Sequence, residues 1–246
     1  MFKHPCLLLL FLITTLTTSI AQSASTNTID ALATLCQGRT IILFGETHHE
    51  PNSQILFLDL VRHYVERGDR VYVGLEVPAD KQTQLDDALA GGRDFSFISP
   101  IILHDQYEEM IHALGGVEGE ITVQAIDASE SEPIRDASMS RNVQSAVYSG
   151  KYDKILVLVG NVHVIQNIQW HKDMTSTGKY LAGYLLEAGL NPCSVQQLFR
   201  VNRGAPVLVR TDTKEGALLA LEVIYPVDHS NNMEGSDVCD AVVEWK

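Results

Sequence analysis

The sequence predicts an α/β fold, a mainly parallel sheet flanked by helices with a partly helical cap insertion. Apolar runs of strand length alternate with segments of helical period, and four of those runs end abruptly in glycine or acidic residues. Near-continuous apolar strands belong to parallel sheets covered on both faces. Open sheets of this kind bind ligands beyond the carboxyl ends of their strands, so the site is expected there.

The first strand runs from Thr40 to Phe44. A helix from Pro51 to Arg67 follows, with Ile55, Leu58, Val61 and Val65 at helical spacing, Pro51 suited to its first turn and Gly68 to its end. Val71 to Val77 forms the second strand and delivers Glu76. Pro78 and Asp80 open a helix to Leu89, which Gly91-Gly92 breaks. Residues 93–115 are expected to cap the crevice. The third strand, Ile121 to Ile126, ends at Asp127 and leads to a helix from Pro133 to Tyr148. The fourth, Lys154 to Val159, ends in Gly160-Asn161-Val162-His163. A helix near Lys179 to Ala188 and two strands, Ser194 to Val201 and Ala217 to Ile224, complete a single domain over residues 30–226. Residues 227–246 read as an irregular tail.

A length of 246 residues with 45% hydrophobic content suits one globular domain. The net charge of -13, from 31 acidic and 18 basic residues, weighs against a nucleic-acid partner. Lys3 and His4, the apolar run Leu7 to Leu16 and the small residues of Ser19-Ile20-Ala21 read as a secretory signal peptide over residues 1–21, with a second possible cut after Ala24. A periplasmic or secreted protein is expected. No later stretch is long enough for stable membrane insertion. Beyond the leader, Cys36, Cys193 and Cys239 allow one disulfide at most, in any of three pairings.

The strand ends carry the chemistry. They present Gly45, Glu46 and His48, then Glu76, then Asp127, then Gly160, Asn161 and His163. Two of the turns share the form Gly-x-x-His, in which the glycine is expected to supply unusual backbone angles. Two imidazoles with carboxylates can bind a divalent metal or form an acid/base pair. Arg135, in the first turn of its helix, suits a carboxylate, phosphate or oxyanion, or a salt bridge to Asp127 or Glu132. His49 reads as a bystander. No G-x-S-x-G elbow, dinucleotide fingerprint or phosphate loop is present, and His49-Glu50 fails as a zinc-protease helix at Pro51 and Ser53.

Four pieces then resemble one superfamily, that of the erythromycin esterases, the ChaN haem-binding proteins and the Tiki/TraB proteins. They are Gly45-Glu46-Thr47-His48, Leu75-Glu76-Val77-Pro78, the run from Arg135-Asp136 to Asn142-Val143, and Val159-Gly160-Asn161-Val162-His163-Val164. The esterase branch implies that Glu46, His48, Glu76, Arg135 and His163 activate water for ester hydrolysis. The Tiki branch implies a divalent metal on His48, Glu76 and His163. The ChaN branch implies haem bound through a tyrosine, without turnover. The leading expectation is a hydrolase of ester or amide bonds in a small molecule or peptide, with either His48 or Glu46 as base, His163 as acid or second ligand and Arg135 at the oxyanion. Haem or iron uptake is the alternative.

Overall fold

A computed structural model describes residues 26–129, 131–167, 179–200, 204–223 and 234–246. The expected signal peptide, residues 1–21, lies outside them. Seven strands form one sheet in the order β3-β2-β4-β1-β5-β7-β6. They are β1 (Ile41–Glu46), β2 (Val71–Pro78), β3 (Ile121–Asp127), β4 (Lys154–Gly160), β5 (Cys193–Phe199), β6 (Pro206–Arg210) and β7 (Ala241–Trp245). Every pairing is parallel except β6 with β7. The four strands whose ends carry the motifs are contiguous, and Glu46 lies opposite Gly160 in register.

Helices cover both faces because side chains of successive strand residues alternate. Residues 26–35 form α1, followed by α2 (Pro51–Glu66), α3 (Gln82–Leu89) and α4 (Asp105–Gly115). These pack on the face that carries Ile42 and Phe44 of β1. In α2, Leu56, Phe57, Leu60 and Val61 are fully buried, each worth about 1.5–3 kcal/mol in transfer free energy. Pro51 opens the helix and Gly68, at φ 83°, closes it. On the other face, α5 (Arg135–Tyr148) and α6 (Leu181–Glu187) cover Ile41 and Leu43. Two further helices, α7 (Lys214–Val223) and α8 (Gly235–Val238), pack over a smaller cluster around Val242 and Cys239. A Cys36–Cys193 disulfide ties the end of α1 to β5, and Cys239 is a buried free thiol. Among the described residues no helix is long and apolar enough to cross a membrane.

Three expectations need correction. The run Ala217 to Ile224, expected as a strand, is helical in α7 over its described residues 217–223; alanine, leucine and glutamate are strong helix formers. The tail is not irregular over its described residues, since β7 lies between β5 and β6 and the domain therefore extends past 226. A start at residue 30 would cut through α1. The cap is also more integral than expected. Tyr107, Met110, Ile111 and Leu114 of α4 belong to the main core, and only the start of that helix meets the crevice.

Candidate active site

The sheet edge brings together all five predicted residues. Glu46 and Glu76, at the ends of β1 and β2, are 2% and 3% exposed, and His163, in the 3-10 turn after β4, is 6% exposed. His48 and Arg135 are the accessible members, with side chains 29% and 45% exposed.

They form two hydrogen-bonded groups. In the first, His48 Nδ1 lies 2.9 Å from Glu46 Oε1, while the Gln54 amide of α2 donates to Glu46 Oε2. With the proton on Nδ1, Nε2 is left as a base, and it lies beside Gly160. In the second group Arg135 grips Asp127 with both prongs, Nε to Oδ1 at 2.7 Å and Nη2 to Oδ2 at 2.6 Å, and donates to Glu76 Oε1 as well. Glu76 Oε2 accepts the Gly160 N–H at 2.7 Å. His163 Nδ1 is 2.7 Å from Asp136 Oδ1, and its Nε2 faces Glu76 Oε1 at 3.5 Å.

The two carboxylates are thereby driven apart. Burial pushes Glu46 above its ordinary range, against the pull of the His48 hydrogen bond. Burial also opposes the charge of Glu76, but His163, Arg135 and the Gly160 N–H outweigh it and hold Glu76 at about 2. Burial disfavours the His163 imidazolium, yet bonds to Asp136 and Glu76 raise it to about 9. His163 is therefore a fixed cation at neutral pH. The bond to Glu46 raises His48.

The matching form of the two turns has a different cause from the one expected. Gly160 has φ -56°, ordinary for any residue. What it provides is space, because a β-carbon there would lie 3.1 Å from His48 Nε2. One on Gly45 would lie 2.5 Å from Asn161 Oδ1. The left-handed residue of the first turn is His49, at φ 61°, a conformation that costs energy in a side-chain-bearing residue. Its ring packs 5.5 Å from that of His104, so His49 belongs to the rim of the site.

Several participants escaped the sequence reading. Asp136 was visible only as the neighbour of Arg135. Gln54 gave no signal, being a polar residue one helical turn into an amphipathic helix. Gln197 of β5 builds the support of the motifs: its backbone N–H donates to Asn161 Oδ1 at 2.9 Å, its carbonyl accepts from Asn161 Nδ2 at 2.9 Å, its side chain donates to Gly45 O at 2.8 Å, and Asn161 Nδ2 also donates to Thr47 Oγ1 at 3.1 Å. Both Gly-x-x-His turns are thus tied to one strand. Arg141, by contrast, points to Glu132 outside the cluster.

As placed, these residues do not fit the cofactors of the other two branches. A metal on His48, Glu76 and His163 would compete with the Arg135 guanidinium for Glu76 and with a proton for His163. Among the described residues, no three or more His, Cys, Asp or Glu are grouped to hold a metal ion. For haem, the tyrosines near the site are Tyr107, which is fully buried, and Tyr180, which is 7% exposed with its ring 5.9 Å from that of His163, so neither stands open to a ligand from solvent.

No protein-family profile matches the chain. No curated protein matches it in sequence. Solved structures match in fold. A histidine-to-asparagine mutant of the erythromycin esterase EreC, in its open conformation, superposes with a TM-score of 0.62 at 12% identity, over 89% of this chain and 93% of that one. The type III effector HopBA1 gives 0.52 at 11% identity over the same shares, 89% and 93%. A succinoglycan biosynthesis protein gives 0.55 at 9% identity, over 68% of each chain. The fold is the one these solved structures share, EreC among them, as the sequence motifs anticipated.

Proposed function

We propose that this protein hydrolyses ester or amide bonds with His48 as general base. The reading rests chiefly on the Glu46–His48 pair, set at an open sheet edge beside a half-exposed arginine. Glu46 fixes the tautomer and orientation of the imidazole, as a buried carboxylate does in a catalytic triad. His48 Nε2 takes a proton from water, the hydroxide attacks the carbonyl carbon, and the imidazolium returns the proton to the leaving group. Arg135 spends Nε and Nη2 on Asp127 and Glu76. Its Nη1 lies 3.4 Å from His163 Nε2, which as an imidazolium accepts nothing, so the Nη1 N–H groups remain to stabilise the oxyanion of the tetrahedral intermediate. His163, a cation already engaged by Asp136 and Glu76, keeps Glu76 ionised and the guanidinium in place. It serves as a positioning residue in this reading, not as the acid.

The fold supports the same chemistry, one neighbour being named as an esterase. The Cys36–Cys193 disulfide supports an oxidising compartment, which agrees with a periplasmic or secreted protein. The test is a panel of small esters and peptide amides against the purified protein and its His48→Ala variant. Turnover of at least one class that disappears in the folded variant is the expected result. Turnover that survives in His48→Ala overturns the assignment of the base.

A further inference from the structure

A second cavity lies away from the catalytic cluster, between the outer strand β3 and α5. It holds about 320 Å³ and opens to solvent, a size within the range of small-molecule sites. None of the catalytic candidates lines it. Tyr72, which does, stands four residues before Glu76 on β2, about 13 Å along the strand. Its ring meets that of Tyr152 edge to face, 5.3 Å between centroids.

The sequence opens this space through one stripe of α5. Asn142, Ser145, Ala146 and Ser149 recur at helical spacing and line the cavity, and their side chains are short. Across from them is Gln124 of β3. The free edge of β3 is already closed at mid-strand, because the Gln82 carboxamide donates to Val123 O at 3.2 Å and accepts the Ala125 N–H at 2.7 Å. The place therefore suits a small molecule and not an added β-strand.

The polar groups around the cavity are unevenly spent. Asn142 Nδ2 donates to Ile126 O at 2.8 Å and Gln124 Nε2 to Val123 O at 3.3 Å, which leaves both amide oxygens. Ser145 and Ser149 commit their hydroxyl protons to Arg141 O and Ala146 O of the same helix, which leaves their lone pairs. Neither the Tyr72 nor the Tyr152 hydroxyl has a hydrogen-bond partner among the described residues, and exposed Lys151 has no ion pair there. Tyr72 is only 5% exposed, and a polar side chain at that depth is normally paired. Burial keeps its proton above the ordinary tyrosine range, so it is a neutral donor.

Acceptors whose own hydrogens are committed match a ligand rich in hydroxyl groups. The two phenols can donate to its oxygens, and their rings offer apolar surface to its C–H faces. The single ammonium at the mouth matches one negative charge.

We propose that this cavity binds a small sugar carrying one anionic group, a carboxylate or a phosphate, at a site separate from that of hydrolysis. Binding there is independent of turnover at Glu46 and His48.

The experiment is titration calorimetry on the full chain. The probes are glucose, galactose and mannose, their uronates and monophosphates, and inorganic phosphate. At least one charged sugar should bind one-to-one at millimolar concentration or below, more tightly than its neutral parent or phosphate. Binding confined to uronates identifies the carboxylate source, and binding confined to sugar phosphates the other; both carry the shared chemistry. Tyr72→Phe should weaken binding about 3–10-fold, the loss of one hydrogen bond. Ser145→Leu fills the cavity with a good helix former and should abolish it. Lys151→Gln should bring the charged sugar down to the affinity of its neutral parent. Melting curves confirm that each variant is folded. Absence of binding by every sugar overturns the proposal. So does inorganic phosphate or the neutral parent binding as tightly as the charged sugar. Binding that is unchanged in folded Tyr72→Phe or folded Ser145→Leu places the sugar elsewhere and overturns it equally.

Discussion

Gly160 and His48 face each other so closely that a β-carbon on the glycine would lie 3.1 Å from the imidazole Nε2 and 3.7 Å from Glu76 Oε2. The glycine's backbone angles are ordinary, so its substitution tests occlusion of the base without adding backbone strain. Gly160→Ala should fold normally, with its thermal midpoint close to that of the parent. Displacing the imidazole by a few tenths of an ångström should still cost roughly 10²-fold in kcat, the scale of loss for a misplaced catalytic group. Kinetics and a melting curve on the same sample check this. Full activity would mean that Nε2 is not the working atom.

Glu46→Gln keeps the size and burial of the side chain while removing its charge. Without the charge, the imidazolium formed during turnover loses its buried counter-ion. The loss expected is about 10²–10⁴-fold in kcat, with KM little changed. A loss confined to KM would place Glu46 in substrate binding and exclude it from the proton transfer.

Stability should depend on pH from two directions. Glu76 is held at about 2 against an ordinary value of 4.5, so its contribution is present above 4.5 and lost as pH falls toward 2. His163 is raised to about 9 from an ordinary 6.5, so its contribution is complete below 6.5 and lost as pH rises toward 9. The thermal midpoint should therefore be highest between about 4.5 and 6.5 as far as this pair is concerned. His163→Gln should flatten the alkaline limb, and an alkaline limb identical to the parent's would show that His163 is not charged in the fold.

The Cys36–Cys193 bridge closes a sequence separation of 157 residues. Its removal by Cys36→Ala with Cys193→Ala should cost about 2–5 kcal/mol in chemical denaturation. Cys239 is fully buried, so a thiol reagent should label it only after unfolding. Rapid labelling of the native protein would contradict that burial.

Half of the site could be read directly because each of its strands is apolar to the point where one polar residue stops it. Glu46, Glu76 and Asp127 announce themselves in this way, and two histidines follow glycines at matching places. That these strands lie side by side could not be read, since β1 and β4 are neighbours across more than a hundred residues. The support was equally hidden. Gln54 and Gln197 act through amides whose partners are set only by packing, and a glutamine in an apolar context carries no mark of that role. The region after β5 was misread for a local reason: a short apolar run such as Ala217 to Ile224 does not declare its period. Pro206 at the start of β6 likewise disguised an edge strand, the place in a sheet where proline is tolerated.

The position of β7 governs the order in which the molecule can be assembled. Among the described residues β6 has β7 as its one strand partner, and β7 also supplies Trp245, whose indole donates to Gln197 Oε1 at 3.0 Å. A chain emerging amino end first can pair the first five strands as they appear. It must then hold Pro206–Arg210 unpaired until residues 241–245 arrive to enter between β5 and β6. The glutamine that braces both catalytic turns waits on the same event. Chains stalled before residue 241 should therefore expose an unprotected strand edge and a loosely held site, because the bond from Trp245 steadies the glutamine that braces the first turn.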